Sequence, residues 1–128
     1  MAGELGLIYL TPEKTFEELV GSKSIAKLTK EKFGKPLYIS DLIQLHNKES
    51  DKLLNKIMPY FGQAIGNIIN IFSPEAIVLA GGFKDPKNKF IKLIKKESEK
   101  YVLTSKNCEL IWSKLKEPGV LGASLLID

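Results

Sequence analysis

The chain has 128 residues, of which 44% are hydrophobic and 27% are charged, a composition that is ordinary for one soluble globular domain. No apolar run approaches the roughly 20 residues that span a bilayer, and Met1 is followed by neither a basic nor an apolar leader segment. We therefore expect a cytoplasmic protein that does not bind a membrane. The single cysteine, Cys108, excludes an internal disulfide and a cysteine-based metal site.

The charge comes from an unusual set of basic residues. The formal net charge is +4, and all 19 basic residues are lysines. Because bidentate arginine contacts dominate the reading of bases, we expect no specific nucleic-acid partner. Six lysines between positions 87 and 100 alternate with apolar residues. This pattern predicts an amphipathic helix with a solvated face, and weak electrostatic binding of nucleic acid or phosphate is the alternative.

The first half of the chain contains one predicted strand and several helices with recognisable ends. The apolar run from Leu5 to Leu10 predicts a strand that ends at Thr11-Pro12. Capping residues, glycines and prolines delimit the helices that follow. In chain order these are Phe16 to Val20 after Thr15, a helix from Ser22 or Ser24 to Phe33 before Gly34, and a short helix that opens at Ser40-Asp41. His46, the only histidine, is expected at the surface or in a capping role.

A long helix is predicted from about Ser50 to Phe72, because its apolar residues recur at helical spacing. Pro59 lies inside it and predicts a kink or a break. Gly62 and Gly66 are four residues apart, which puts them on one face of the helix. We expect that face to pack closely against a sheet or a second subunit rather than to bind a ligand.

The second half alternates strands and helices, and it sets the fold class. Strands are predicted at Ala76 to Ala80 and Cys108 to Trp112, with the lysine-rich helix between them and a last helix from Pro118 to about Leu126. A strand–helix–strand unit implies a right-handed crossover and parallel strands. Residues 1–128 are therefore expected to form one α/β domain with at least three strands. Cys108 is expected to be a buried packing thiol.

Two glycines, Gly81 and Gly82, stand at the carboxyl end of the predicted strand from Ala76 to Ala80. Paired glycines at the end of a buried strand let a ligand approach bare backbone. By itself this arrangement is a weak signal for a nucleotide site.

Three segments in order resemble the second half of the ROK family, which comprises sugar kinases and sugar-responsive repressors. They are Ala2-Gly3-Glu4-Leu5-Gly6, the run from Ile71 to Gly82, and Pro118 to Ala123. The resemblance implies a ribonuclease-H-like (actin-like ATPase) fold with two lobes that hold sugar and ATP between them. This chain would be the C-terminal lobe, with an incomplete sheet covered by helices.

The resemblance also implies functional residues. Glu4 matches the family glutamate that hydrogen-bonds sugar hydroxyls, and Glu17 matches a second glutamate that contacts the sugar. Gly81 and Gly82 match the turn near adenosine. Taken from composition and spacing alone, Glu4 and Glu17 have an ordinary interpretation as solvated carboxylates, which for Glu17 is favoured in a first helical turn.

Several family features are absent from the sequence. Leu7 stands where the family has a zinc-ligating histidine, and the short segment from Thr11 to Thr15 lacks the zinc-binding cysteines. A structural zinc site needs four ligands, so we expect no zinc. The family's Asp-x-Gly-Gly-Thr phosphate loop and its catalytic Asp have no match either. No catalytic residue is assigned, and ATP with Mg²⁺ is expected only together with a complementing N-terminal lobe.

Three functions remain open at this point. The chain is the sugar- and nucleotide-binding lobe of a glucokinase-like hexose kinase, inactive alone, or the effector-sensing lobe of a ROK repressor, or a non-catalytic dimerisation module. A hexose is the expected ligand of the first two. We also expect a homodimer or a pairing with the complementing lobe. Two apolar surfaces could bind another chain: the predicted edge at Leu5–Leu10 and the long helix with Gly62 and Gly66.

Overall fold

The computed structural model describes residues 3–80, 86–103 and 107–115. These residues form an α/β domain in which helices pack on a small parallel sheet, as the sequence predicts. The elements, in chain order, are a 3₁₀ helix Leu5–Leu7, α1 Phe16–Val20, α2 Ser22–Phe33, α3 Ile39–Leu45, α4 Lys48–Phe72, β1 Ala76–Leu79, α5 Lys87–Ser98 and β2 Glu109–Trp112.

The two strands run parallel and are joined through α5. Ala76 pairs with Glu109 and Leu79 pairs with Trp112, so the four residues of each strand are in register. This confirms the predicted strand–helix–strand unit. The expectation of at least three strands is not met among the described residues, where the sheet has two.

The predicted strand at Leu5–Leu10 is wrong. Leu5–Leu7 form a 3₁₀ helix, and Tyr9 makes only an isolated antiparallel bridge with Thr15. The reason is local: the amides of Leu7 and Ile8 donate to the carbonyls of Glu4 and Leu5 (3.1 and 3.2 Å), so the backbone is satisfied within the turn. The apolar edge that we expected along this segment is therefore absent.

Helix α4 is the central element of the core. Asn47 caps it by accepting hydrogen bonds from the amides of Glu49 and Ser50 (3.1 and 2.8 Å). The helix runs through Pro59 without a break. Proline cannot donate to the carbonyl four residues earlier, and that residue, Asn55, is exposed, so water can take the place of the missing donor.

Gly62 and Gly66 face α5, not a sheet or a second subunit. A methyl group added at Gly62 would lie 2.6 Å from Glu97 Cβ and 2.8 Å from the Glu97 carbonyl oxygen. One added at Gly66 would lie 2.6 Å from Tyr101 Cβ. The two glycines therefore lie in a close contact within the chain, and this contact leaves no room for a partner there.

The core is continuous from the α1–α3 region to the sheet. Its fully or nearly buried apolar side chains come from every helix from α1 to α5 and from β2: Val20, Ile25, Leu42, Ile43, Leu53, Ile57, Met58, Ile65, Ile69, Phe90, Ile94 and Leu110. Three phenylalanine rings connect α1, α4 and α5 within this core. Phe61 contacts Phe16 and Phe90 edge-on, at 5.3 and 5.4 Å between ring centroids.

Single-residue predictions had mixed outcomes. His46 ends α3 with a φ of 45°, is exposed, and has its Nε2 3.0 Å from Lys89 Nζ, which confirms a surface and capping position. Cys108 is half-buried and packs against the core just before β2, which confirms a packing thiol but not full burial or a position inside the strand. The N-cap of α2 is Gly21, not Ser22 or Ser24, because α1 leads directly into α2.

Two predicted features lie outside the described residues: the last helix from Pro118 to Leu126 and the glycine pair Gly81-Gly82. Within the described part of the chain, no helix is long and apolar enough to cross a membrane.

Candidate functional site

Glu4 and Glu17 come from two neighbouring elements that the fold brings together. Glu4 precedes the 3₁₀ helix and Glu17 lies in the first turn of α1, and both side chains are exposed. The contact between the elements is made at Gly6, where an added methyl group would lie 3.4 Å from Glu17 Oε2 and 3.5 Å from Glu17 Cβ. The carboxylate of Glu17 therefore lies against the turn that carries Glu4.

The position of Glu17 also depends on the start of α2. A methyl group added at Gly21 would lie 2.5 Å from the Glu17 carbonyl oxygen and 2.9 Å from Glu17 Cγ. The Gly21 amide donates to the same carbonyl at 2.7 Å. No larger residue fits there without moving Glu17. We did not anticipate Gly6 and Gly21 as site residues, although both glycines flank the segments that carry the predicted carboxylates.

The neighbouring carboxylate, Glu18, has a structural role. Its Oε2 accepts hydrogen bonds from the Thr15 amide (2.8 Å) and hydroxyl (2.9 Å), and the Glu18 amide donates to Thr15 Oγ1 (3.3 Å). This reciprocal cap begins α1. The backbone bond from Thr15, helped by its hydroxyl and by Lys14, holds the pKa of Glu18 below its usual range. Among the described residues, the Glu17 carboxylate makes no such bond, so Glu17 is the side chain that remains available to a ligand.

A tight hairpin connects the two halves of this site. The amides of Leu10 and Thr11 donate to the Lys14 carbonyl (3.1 and 3.3 Å), and the Lys14 amide donates to Thr11 Oγ1 (3.0 Å). The Phe16 amide then donates to the Ile8 carbonyl at 2.8 Å. These bonds hold α1 against the 3₁₀ helix.

Leu7, the residue in the position of a histidine in the resembled family, is 62% exposed and offers no metal-binding atom. Within residues 3–80, 86–103 and 107–115, no three His, Cys, Asp or Glu side chains are grouped closely enough to hold a metal ion.

A cavity of about 730 Å³ lies beside the site but does not include it. It is bounded by the hairpin and by α1, α2 and α4, with Lys14, Glu18 and Tyr60 among its walls. Glu4 and Glu17 are not part of its lining. Both side chains are instead exposed on the surface.

The nucleotide position is untested by the structure. Strand β1 ends at Leu79, and the chain then leads toward Gly81 and Gly82, which lie outside the described residues. Their role near adenosine stays a prediction.

Comparison with known proteins identifies the family. The ROK family model matches residues 1–128. An uncharacterized protein of Clostridium perfringens is 28% identical over 130 residues, which cover 95% of this chain and 44% of that protein.

Solved structures of the same family superimpose on the chain. The ROK hexokinase of Thermus thermophilus matches with a TM-score of 0.81 and 21% identity over 98% of this chain and 48% of that one. A ROK family transcriptional regulator, described as a homologue of the E. coli MLC protein, matches with a TM-score of 0.78 and 21% identity, over 98% of this chain and 38% of that one. The chain thus spans about half the length of the proteins it matches, and these likenesses show the fold.

Proposed function

Because the chain belongs to the ROK family, we propose that it forms the C-terminal, sugar- and nucleotide-binding lobe of a hexose kinase of that family. The observation that carries this proposal is the contact between the Glu17 side chain and Gly6, two residues after Glu4, with both glutamates exposed. In our proposal the two side chains accept hydrogen bonds from neighbouring sugar hydroxyl groups, and bonds to a charged acceptor are the stronger kind. A hexose presents such neighbouring hydroxyls.

Phosphoryl transfer needs more than this lobe supplies. A general base must lie within about 3 Å of the hydroxyl that it deprotonates, and the phosphates must be held by a loop and by metal ions. We assign neither function to a residue of this chain. In our proposal a complementing N-terminal lobe brings the base, the phosphate loop and Mg²⁺, while Gly81 and Gly82 admit the adenosine of ATP.

The proposal includes no zinc. In this chain the hairpin between Leu10 and Lys14 and the reciprocal cap of Thr15 and Glu18 hold the sugar-facing elements together. We therefore assign no structural role to a metal between these elements.

The second candidate is the effector-sensing lobe of a ROK repressor. The specific observation in its favour is that the regulator superimposes on this chain almost as well as the hexokinase, at TM-scores of 0.78 and 0.81. Sensing requires the two carboxylates but no catalytic base. The complementing polypeptide distinguishes these two candidate functions. A kinase requires a phosphate loop in that polypeptide, and a repressor requires a helix-turn-helix.

Saturation-transfer difference NMR tests the sugar site, because it detects weak ligands. We expect signals from glucose, mannose or an N-acetylhexosamine with the wild-type chain. Glu17→Gln should weaken binding about tenfold or more, the worth of a charge-assisted hydrogen bond. Glu13→Gln is the matched control, since Glu13 is an exposed glutamate that lies in the hairpin. Equal signals from all three proteins, or none from the wild type with any of these sugars, would contradict the proposal.

An assay of ADP release with the same sugars adds a second arm. We expect no turnover above background from the chain alone. Turnover that disappears in Glu4→Ala would show that this lobe is competent by itself, and the need for a complementing lobe would then be wrong.

A further inference from the structure

The side chain of Glu17 is exposed, yet it lies against two glycines from separate segments of the chain. A methyl group added at Gly6 would lie 3.5 Å from Glu17 Cβ, and one added at Gly21 would lie 2.9 Å from Glu17 Cγ. A glutamate side chain in open solvent samples many rotamers. Because backbone lies close to Cβ and to Cγ, Glu17 has fewer rotamers available than an ordinary surface glutamate.

The backbone of Glu17 is fixed as well, by two hydrogen bonds to one carbonyl oxygen. The Gly21 amide donates to this oxygen at 2.7 Å, and the Ser24 hydroxyl donates to it at 3.2 Å. A carbonyl oxygen has two lone pairs, so both are used. Helix α1 has only five residues, and a helix this short is not stable by itself. The bond from Ser24 therefore supports α1 from outside.

This bond crosses the joint between two helices. Gly21 is the one residue between α1 and α2, and its extended backbone (φ −60°, ψ 152°) changes the direction of the chain. A rotation at this joint would turn α1, and with it the side chain of Glu17. Ser24 lies seven residues after Glu17, in the first turn of α2. Its hydroxyl connects the two helices directly and opposes such a rotation.

The first turn of α2 contains a second serine that does not make this contact. Ser22 is exposed, and its hydroxyl makes no hydrogen bond within the described part of the chain, whereas Ser24 is half-buried. A serine at the start of a helix usually bonds to backbone groups of its own helix. The Ser24 hydroxyl instead donates to a carbonyl of the preceding helix, which is the one that carries Glu17.

We propose that Ser24 is a positioning residue for Glu17. Its hydroxyl fixes the joint between α1 and α2, and this joint holds the Glu17 side chain against Gly6 and Gly21. A carboxylate that is already held in one rotamer loses little conformational freedom when a ligand binds, and such preorganisation raises affinity. This inference rests on the proposed function, in which Glu17 accepts hydrogen bonds from a hexose.

Sugar affinity is the first measurement, by titration in saturation-transfer difference NMR with glucose, mannose and an N-acetylhexosamine. Ser24→Ala should weaken binding about three- to tenfold, the worth of one neutral hydrogen bond. Ser22→Ala is the matched control, because it makes the same substitution in the same helical turn, and it should bind like the wild type. Ser24→Thr keeps the hydroxyl, and its added methyl group can enter the cavity that Ser24 borders. This variant should restore the affinity.

The rotamer of Glu17 is the second measurement, and it needs no sugar. Three-bond coupling constants report the χ1 angle of Glu17 in the free chain. We expect one rotamer in the wild type, in Ser22→Ala and in Ser24→Thr, and averaged rotamers in Ser24→Ala. If Ser24 merely stabilised the fold, its replacement by alanine would lower the free energy of unfolding in urea but leave the rotamer and the sugar affinity unchanged.

Three outcomes overturn the proposal: a Ser24→Ala chain that keeps one Glu17 rotamer, a Ser24→Ala chain that binds sugar as tightly as the wild type, or a Ser24→Thr chain that does not restore the affinity. Failure of the wild-type chain to bind any of these sugars has a different meaning. It contradicts the proposed function, while the coupling constants still decide whether Ser24 positions Glu17.

Discussion

The crossing of α4 and α5 and the segment that carries Glu4 and Glu17 are held in place by different means. At the crossing, glycine lets one backbone approach another so closely that Gly62 has no room for a methyl group. At the candidate site, position depends on turns and caps between exposed residues, such as the reciprocal bonds of Thr15 and Glu18. The first arrangement makes a rigid scaffold. The second leaves the carboxylates accessible at the cost of weaker support.

Glycine serves both regions, but for different neighbours. Gly62 and Gly66 make room for a helix that is more than thirty residues away in sequence. Gly21 makes room for the carbonyl of Glu17, only four residues away. Substitution at the crossing should therefore disturb the whole domain, whereas substitution near the site should disturb α1 first.

The largest effect is expected from Gly62→Ala. In an exposed helix this change stabilises by roughly 1 kcal/mol. Here the new methyl group meets the Glu97 backbone, and overpacking of this kind costs about 1–3 kcal/mol or more. Contacts of 2.7 and 2.8 Å with the Glu97 backbone place that cost near its upper end, about 3 kcal/mol, so after the gain of about 1 kcal/mol we expect a net loss of about 2 kcal/mol in the free energy of unfolding, measured with urea. Asn55→Ala, at an exposed position of the same helix, should cost almost nothing. A more stable Gly62→Ala protein would show that the crossing is looser than described.

Much of this scaffold could be predicted from the sequence. Helical spacing and caps located α1, α2, α4 and α5, and the apolar runs located β1 and β2. The errors arose where local pattern and tertiary surroundings disagree. The run from Leu5 to Leu10 is apolar enough for a strand, but its backbone bonds are satisfied within turns. Pro59 does not end α4, because Asn55 faces solvent and the packing on both sides of the proline continues.

The site was less predictable than the scaffold. Family resemblance pointed to Glu4 and Glu17, and the structure packs Glu17 against Gly6, two residues after Glu4. Periodicity alone could not have pointed to either residue, because an exposed glutamate in a first helical turn is ordinary. Likewise, the spacing of Gly62 and Gly66 indicates a close approach but not its partner, which depends on where α5 returns in space.

A smaller loss is expected from Thr15→Ala, which removes the cap of α1. Loss of an N-cap side chain costs about 1 kcal/mol. We also expect faster amide exchange within Phe16–Val20, because the cap holds the first turn. Thr15→Ser keeps the hydroxyl and should behave like the wild type. If Ser is as harmful as Ala, packing of the Thr15 methyl group rather than the cap holds this segment, and the contrast with the α4–α5 crossing is weaker.

The smallest effect should appear only as a function of pH. The folded state lowers the pKa of Glu18 below its ordinary value of 4.5, so its ionised form is the one that stabilises. That contribution is present at neutral pH and is lost as the pH falls below 4.5 and through the folded pKa. The stability difference between wild type and Glu18→Gln should therefore shrink on acidification. A difference that grows toward low pH would refute the assignment.

The unbroken course of α4 has a mechanical consequence. Phe61 contacts Phe16 of α1, while Phe72 ends the helix beside β1. Eleven residues of helix separate them by about 16 Å along the axis. A helix of that length behaves as a rigid spacer, so α1, which carries Glu17, and strand β1 keep a fixed separation. Any polypeptide that binds beside β1 therefore lies at a defined distance and direction from α1.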